Sequence, residues 1–566
     1  MDRQGKMHQG RHLYDLFQLL RNTRSIVVLS LLYLSAAWFP PQSEELFKLF
    51  TQESRGLDQL LRLVIVTLIT AAIGQTYASG LLISEAERDS NGRISILLHS
   101  RGNWGKYWPL ILAVTLLWGV PLLIAWSRIK PTEAWPAYVQ NYFGFIAVVT
   151  YVAGVLALAT IFKFELKVAG FLRLSSEKIR WARSLSLSII FPLIFGLVIS
   201  YIVFDTNSGG TLATHKLGPL FIFQLFVATN IIVFSVIQQL GNNTGWPILS
   251  LTLLLAIAIA VKERPRRYPL LLDTALSADD IRLTHPGSIP MQLQMPQLAL
   301  RDWLRHRGPQ RREVFFVVAQ GGGLYAAYHS ALTLARLQDA CGNFYDRFFA
   351  GTGVSGGSIG ILVFSAVADA VRQVDNQAGV AGGCNPKDPG QVHQNIVREV
   401  FEGDFLTPLL VNGLFVDYPF GLLRDVVAGT LSWFGIHVEF SDRADALKRV
   451  VLERTEKAVR RALKGNGNPL RILKSRVNEF DVTGPTLLFS TTVVETGAPL
   501  IFGPVDISNA HLVKSGVSHI SMNQLFPGQT IDSIDAAVLS ARFPVVTPAA
   551  TLTNQSGKSM RIVDGG

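Results

Sequence analysis

Gly351-Thr352-Gly353-Val354-Ser355-Gly356-Gly357-Ser358 lies between an apolar, strand-like run, Phe344–Ala350, and an apolar helical run, Ile359–Val371. Between a strand and a helix, G-x-S-x-G is the pattern of a nucleophile elbow. The flanking glycines permit a sharp turn that lifts the serine hydroxyl clear of the sheet edge. The same letters also fit a glycine-rich turn with a spectator serine, so the neighbouring stretches decide the role of Ser355.

Upstream, Val314–Ala319 (VFFVVA) is a short continuous apolar run, the pattern of a strand buried on both faces. It passes through Gln320-Gly321-Gly322-Gly323 into a helical pattern at Leu324–Leu337. Glycines between a strand and a helix present backbone N–H groups to an anion at the helix N-terminus. A phosphate loop would need Gly-Lys-Ser/Thr, which is absent, and no G-x-G-x-x-G spacing occurs. Placed before a serine elbow, Gly321, Gly322 and Gly323 fit an oxyanion hole better than a phosphate site. Downstream, Thr486–Glu495 reads as a strand, Thr496–Pro499 as a turn, and Leu500–Phe502 as a second strand. Ile534–Ala541 reads as a short helix closed by Arg542-Phe543-Pro544, and Ser559–Val563 as a strand delivering Asp564-Gly565-Gly566. Alternating strands and helices of these lengths predict an α/β domain with a mostly parallel sheet and helices on both faces.

The first half obeys a different pattern. The 566-residue chain is 49% hydrophobic and only 16% charged, where a globular chain is roughly a quarter charged. Long apolar runs alternate with short polar connectors at Ser25–Phe39, Leu63–Ile83, Trp108–Trp126, Phe143–Phe162, Leu185–Phe204, Leu217–Ile237 and Trp246–Val261. A spanning helix needs about 20 residues. The five central runs reach that length; the first and last are short. Tyr107, Trp108, Trp126 and Trp246 stand at run ends, as in an aromatic belt. Residues 1–263 are thus expected to form an all-α transmembrane domain of six to seven helices, with 264–312 a proline-punctuated linker that carries a short helix around Gln297–Arg305. Gln75, Gln224 and Asn230 are expected to hydrogen-bond between helices, and the membrane half to act as an anchor.

The net charge of +11 comes from Lys and Arg clustered between apolar runs, which points to anionic headgroups and topology rather than nucleic acid. With the N-terminus inside, the inner segments carry five, four and six Lys/Arg against three, two and one outside. Six crossings keep the second half in the cytoplasm of a bacterial inner membrane; seven place it outside. Six is the preferred count, because Lys262, Arg264, Arg266 and Arg267 then also fall inside. Cys341 and Cys384 show no metal-ligand spacing and are read as reduced thiols. No metal or other cofactor is expected.

Taken together, the glycine triplet after a strand, the G-x-S-G-G elbow and the late Asp-Gly-Gly resemble the patatin-like phospholipase family over residues 313–566. The resemblance implies a three-layer α/β/α hydrolase domain. It implies Ser355 as nucleophile, Asp564 as its partner in a Ser-Asp dyad, and Gly321, Gly322 and Gly323 as oxyanion donors, joined by the N–H of Gly356. The implied substrate is a membrane phospholipid or lysophospholipid. Thr491–Gly497 and Ala541-Arg542-Phe543-Pro544 are similar to further landmarks of the family. Two departures stand out. Tyr325 occupies the position where the family carries Arg or Lys, and the sequence stops at Gly566, where the family continues. The latter implies either further sequence or a different closure of the sheet.

Two other readings stay open. His511 and His519 follow the elbow and allow a Ser-His-Asp lipase or esterase, while His329 reads as packing or rim. A lipid-binding scaffold or receptor without turnover is the non-enzymatic alternative. Residues 376–478 form an insert in which Phe401–Trp433 is strongly apolar and Ser441–Leu463 reads as a charged amphipathic helix. The apolar stretch, with Leu409, Leu410 and Phe415, is expected either under the core or as a cap facing the bilayer.

Overall fold

The computed structural model describes residues 191–207, 218–254 and 266–565, with gaps of which the longest are 273–287, 379–389, 418–442 and 508–518. The apolar runs Ser25–Phe39, Leu63–Ile83, Trp108–Trp126 and Phe143–Phe162, together with Gln75, lie outside those residues, as does most of Trp246–Val261. The chain forms two units: Met1–Lys262 with Leu410–Val438, and Glu263–Leu409 with Glu439–Gly566.

In the first unit, α1 (Phe191–Asn207) and α2 (Pro219–Thr244) are described. The segment Phe221–Gln238 of α2 is long and apolar enough to cross a bilayer. On α1, Leu193, Leu197, Tyr201 and Phe204 recur at helical spacing and are 59–72% exposed, an apolar stripe that water does not favour. Asn230, expected to bridge helices, donates from Nδ2 to the carbonyl of Phe226 in its own helix (2.8 Å). Part of the insert joins this unit. Val411 and Phe415 pack with Ile202, Ile222 and Leu225, and Phe415 meets Phe226 edge-on with ring centroids 6.0 Å apart. Phe401, Phe405 and Leu409 pack instead with the core of the second unit. The apolar stretch of the insert is therefore divided between the two units at Leu409–Leu410.

The second unit is a mixed α/β domain. In chain order its main elements are β1 (Arg266–Tyr268), α3 (Pro296–His306), β2 (Phe315–Ala319), α4 (Gly323–Ala340), β3 (Phe348–Val354), α5 (Gly356–Ala378) and α6 (Val392–Phe401). There follow α7 (Arg443–Ala462), β4 (Thr486–Val493), β5 (Pro499–Phe502), β6 (Ile520–Ser521), α8 (Ser533–Ser540), β7 (Ala550–Thr553) and β8 (Ser559–Asp564). The eight strands form one sheet. The pairs β1–β7, β2–β3, β3–β4 and β5–β6 are parallel, and β7–β8, β8–β4 and β4–β5 are antiparallel. Four of these seven pairs are parallel, in line with the expected mostly parallel sheet, and three antiparallel returns are mixed among them. The connections β4–β5 and β7–β8 are too short for the crossover that parallel neighbours require.

α5 is buried on every side, with Ile359, Leu362, Val363, Phe364, Val367 and Val371 at its contacts. Its segment Gly356–Val374 also has the length and hydropathy of a membrane span, but it forms the centre of a protein core, as an all-round apolar helix does. Two sequence expectations change. Phe344–Ala350 begins as a one-turn helix, Phe344–Arg347, and the strand starts at Phe348. Val314–Ala319 is not buried on both faces: β2 pairs with β3 alone among the described strands, leaving Phe316 63% and Val318 81% exposed.

The stretch expected as a linker contributes β1 and α3. Trp303 of α3 is fully buried and donates from Nε1 to the carbonyl of Gly484 (3.3 Å). The Arg307 guanidinium lies 3.9 Å over the indole and donates to the carbonyls of Asp346 and Thr483; burial lowers its pKa to about 10. Cys341, read from sequence as a reduced thiol, is disulfide-bonded.

Asp339, near the end of α4, caps α6 from outside. Its carboxylate accepts the backbone N–H groups of His393 (3.1 Å) and Gln394 (2.9 Å) and the His393 ring Nδ1–H (2.7 Å). Burial pushes its pKa up, but these hydrogen bonds outweigh that and hold it below the ordinary aspartate value of 3.8. A depressed folded pKa contributes stability above the ordinary value, lost as pH falls through the folded one. Asp339→Asn is therefore expected to unfold at a lower temperature than wild type at pH 7. The gap should narrow below pH 3.8, as read by thermal unfolding across pH.

Candidate active site

Ser355 joins β3 to α5 with φ +54, a left-handed conformation uncommon for a non-glycine residue. The turn needs it, because Gly353 and Ser358 lie almost on top of one another: a Cβ on Gly353 would stand 2.5 Å from the Cα of Ser358. The Ser355 carbonyl accepts the Ser358 N–H (3.0 Å), which starts α5. Ser355 is half-buried at the end of a strand.

The glycine loop lies directly against this turn. A Cβ on Gly321 would sit 3.1 Å from the Ser355 Cβ, and one on Gly356 would sit 1.9 Å from the carbonyl oxygen of Gly323. Gly323 opens α4, and the N–H groups of a first helical turn have no acceptor within the helix. Gly321, Gly322, Gly323 and Gly356 are thus brought together around the serine, at the N-termini of α4 and α5.

The position of Asp564 follows from the register of β4. A strand residue has one neighbour on each edge. Phe489 and Ser490 pair with both β3 and β5, while Thr491 and Thr492 pair with both β5 and β8. β5 therefore takes one edge of β4, and β3 and β8 share the other, end to end. Val354 faces Ser490, and Asp564 faces the next residue, Thr491. The aspartate thus arrives at the tip of the strand that ends in the elbow. It is 5% exposed, and its N–H donates to the carbonyl of the fully buried Arg542 (2.9 Å).

The histidines do not meet at this point. His519 precedes β6, which lies beyond β5 on the opposite edge of β4. Three strand spacings put it roughly 14 Å from the elbow in backbone terms, too far for direct proton transfer. His511 lies outside the described residues. His329 is exposed and stacks on Tyr325, itself 72% exposed, with ring centroids 6.0 Å apart. A cavity of about 40 Å³, lined by residues that include Tyr345, Ser365, Asp481 and Thr486, lies at the other end of β4.

Sequence reasoning missed Ser540, the last residue of α8. Its hydroxyl is 2.9 Å from the N–H of Ser355, 2.8 Å from the hydroxyl of Ser358 and 2.6 Å from the carbonyl of Ser490. A lone serine closing an apolar helix carries no motif. The one available signal is that the helix, Ser533–Ser540, has a hydroxyl at each end of an otherwise buried sequence.

The site is thus a serine in a tight strand-to-helix turn, flanked by a glycine loop and a buried aspartate, in a mixed α/β domain. No protein-family model matches the chain, and no curated protein matches it in sequence. Among solved structures, the crystal structure of VipD from Legionella pneumophila aligns with 45% of this chain and 46% of its own, at 13% identity and a TM-score of 0.19. A likeness this loose says nothing about chemistry, which rests on the site's own geometry.

Two glycines at the site separate steric from conformational need. At Gly323, with φ +63 and open space around a Cβ, alanine is expected to cost about 1–2 kcal/mol from the backbone alone. At Gly356 the added methyl meets a backbone oxygen at 1.9 Å, so Gly356→Ala should lose considerably more stability. Thermal unfolding of the two variants checks the order.

Proposed function

We propose that this chain is a membrane-tethered serine acyl hydrolase of the patatin-like kind, cleaving carboxylic esters of phospholipids or lysophospholipids. The observation that carries the proposal is the convergence at one sheet end. A serine in a positive-φ elbow, a glycine loop pressed against it, and a buried aspartate meet along a single edge of β4.

In the proposed mechanism Asp564 accepts the proton of the Ser355 hydroxyl as its oxygen attacks the ester carbonyl carbon. The resulting oxyanion is stabilised by N–H groups of Gly321–Gly323 and Gly356; losing one such donor typically costs about a hundred- to a thousandfold. Collapse breaks the bond to the alcohol, which leaves with the proton from Asp564. Water then adds to acyl-Ser355 with Asp564 again as base, releasing fatty acid and free serine. The apolar stripe of α1 and the spanning-length segment of α2 support attachment to the bilayer that holds the substrate.

The disulfide at Cys341 bears on sidedness. Disulfides persist in oxidising compartments, so we place the domain outside the cytoplasm, in keeping with seven crossings rather than six. Denatured, unreduced protein is expected to take up no maleimide-polyethylene glycol, and reduced protein to take up two. Two modifications without reductant would return the domain to the cytoplasm.

The function is tested with purified full-length protein on vesicles of defined phospholipids. Ser355→Ala should abolish fatty-acid release and labelling by a fluorophosphonate. Asp564→Asn should lower turnover about a hundred- to ten-thousandfold. Labelling and hydrolysis that survive in Ser355→Ala would refute the assignment. A folded wild-type protein that binds vesicles but releases no fatty acid from any lipid would favour the scaffold.

A further inference from the structure

We infer that Ser540 is a positioning residue that couples the nucleophile to its base. This rests on the proposed Ser355–Asp564 dyad and assigns a role to a residue outside it. Ser540 ends α8 and is fully buried. A hydroxyl has one proton to donate and two lone pairs to receive with. The Ser490 carbonyl, 2.6 Å away, can only accept, so the Ser540 proton goes there. The lone pairs then receive the N–H of Ser355 (2.9 Å) and the hydroxyl proton of Ser358 (2.8 Å). Every hydrogen-bonding valence of this oxygen is used on the elbow and on the strand beside it.

The backbone of the same residue holds the other partner. The Ser540 carbonyl accepts the N–H of Gly565 (3.3 Å), and two residues later the Arg542 carbonyl accepts the N–H of Asp564 (2.9 Å). The C-terminal end of α8 thus ties the main chain of the nucleophile to the main chain of the base. Ser490 is the common floor: a Cβ on Gly565 would lie 2.2 Å from its carbonyl oxygen. The arrangement also has a consequence for the oxyanion. With its own N–H given to Ser540, Ser355 does not contribute that donor, so the oxyanion contacts fall to Gly356 and the glycine loop.

The test uses full-length wild type, Ser540→Ala, Ser540→Cys, Ser358→Ala and Ser355→Ala on a soluble p-nitrophenyl ester, with fluorophosphonate labelling rates alongside. Ser540→Ala is expected to lower kcat and the labelling rate about ten- to a hundredfold, as a slight misplacement of a reacting group does, with KM within about twofold. Ser540→Cys, which keeps a poorer donor and acceptor in the same place, should fall between Ser540→Ala and wild type. Ser358→Ala removes a donor without emptying the junction and should keep most of the activity. If Ser540→Ala does not fold, the Cys variant carries the test through its kcat. Wild-type kcat and labelling rate in the folded Ser540 variants, whatever their melting temperature, would overturn the positioning role alone. Wild type that neither turns over nor labels would overturn the dyad and this role with it.

Discussion

The left-handed backbone at Ser355 is the constraint on which the site depends. An L-residue at φ +54 is strained, and it persists because its surroundings leave the main chain no room to relax. Its carbonyl starts α5, its N–H is taken by Ser540, and Gly321 closes on its Cβ. The strain serves a purpose. A relaxed strand-to-helix connection would leave the hydroxyl in the plane of the sheet, and the tight one sets it at the strand tip, beside Asp564 and two helix N-termini. The same closeness explains Gly353, Gly356 and Gly357, where a Cβ would meet neighbouring backbone, while Gly323 is required by its positive φ.

How much of this was legible follows from how local each signal is. The elbow, the glycine loop and the Asp-Gly-Gly turn are short stretches whose spacing encodes backbone geometry directly, so each could be read on the chain. The boundaries of α4 and α8 and the start of α5 fell within a few residues of expectation for the same reason, while α5 runs on to Ala378, past the expected Val371. Ser540 could not be read, because its role exists only where α8 ends over β4, far from Ser355 in sequence. The burial of VFFVVA misled because an apolar run says nothing about how many neighbours a strand will have; among the described strands β2 lies at the sheet edge and exposes Phe316 and Val318. The mixed character of the sheet depends on the returns at β4–β5 and β7–β8, which the alternation of strands and helices does not reveal. Cys341 showed no ligand or framework spacing, and its bond depends on a tertiary approach.

The division of the insert was equally hidden. Phe401–Trp433 is rich in apolar residues throughout, and nothing in its composition distinguishes Leu409, which packs with the core of the second unit, from Val411 and Phe415, which pack with residues of α1 and α2. One apolar stretch serves two cores because burial is rewarded by area and not by partner. The chain therefore passes from one unit to the other more than once.

The order of the elements gives β8 a further significance. It follows every other described part of the site along the chain and fills the edge of β4 left beyond the end of β3. During synthesis Ser355 and its glycine loop emerge well before the strand that carries Asp564. A nascent chain therefore holds the elbow before the aspartate that pairs beside it on β4.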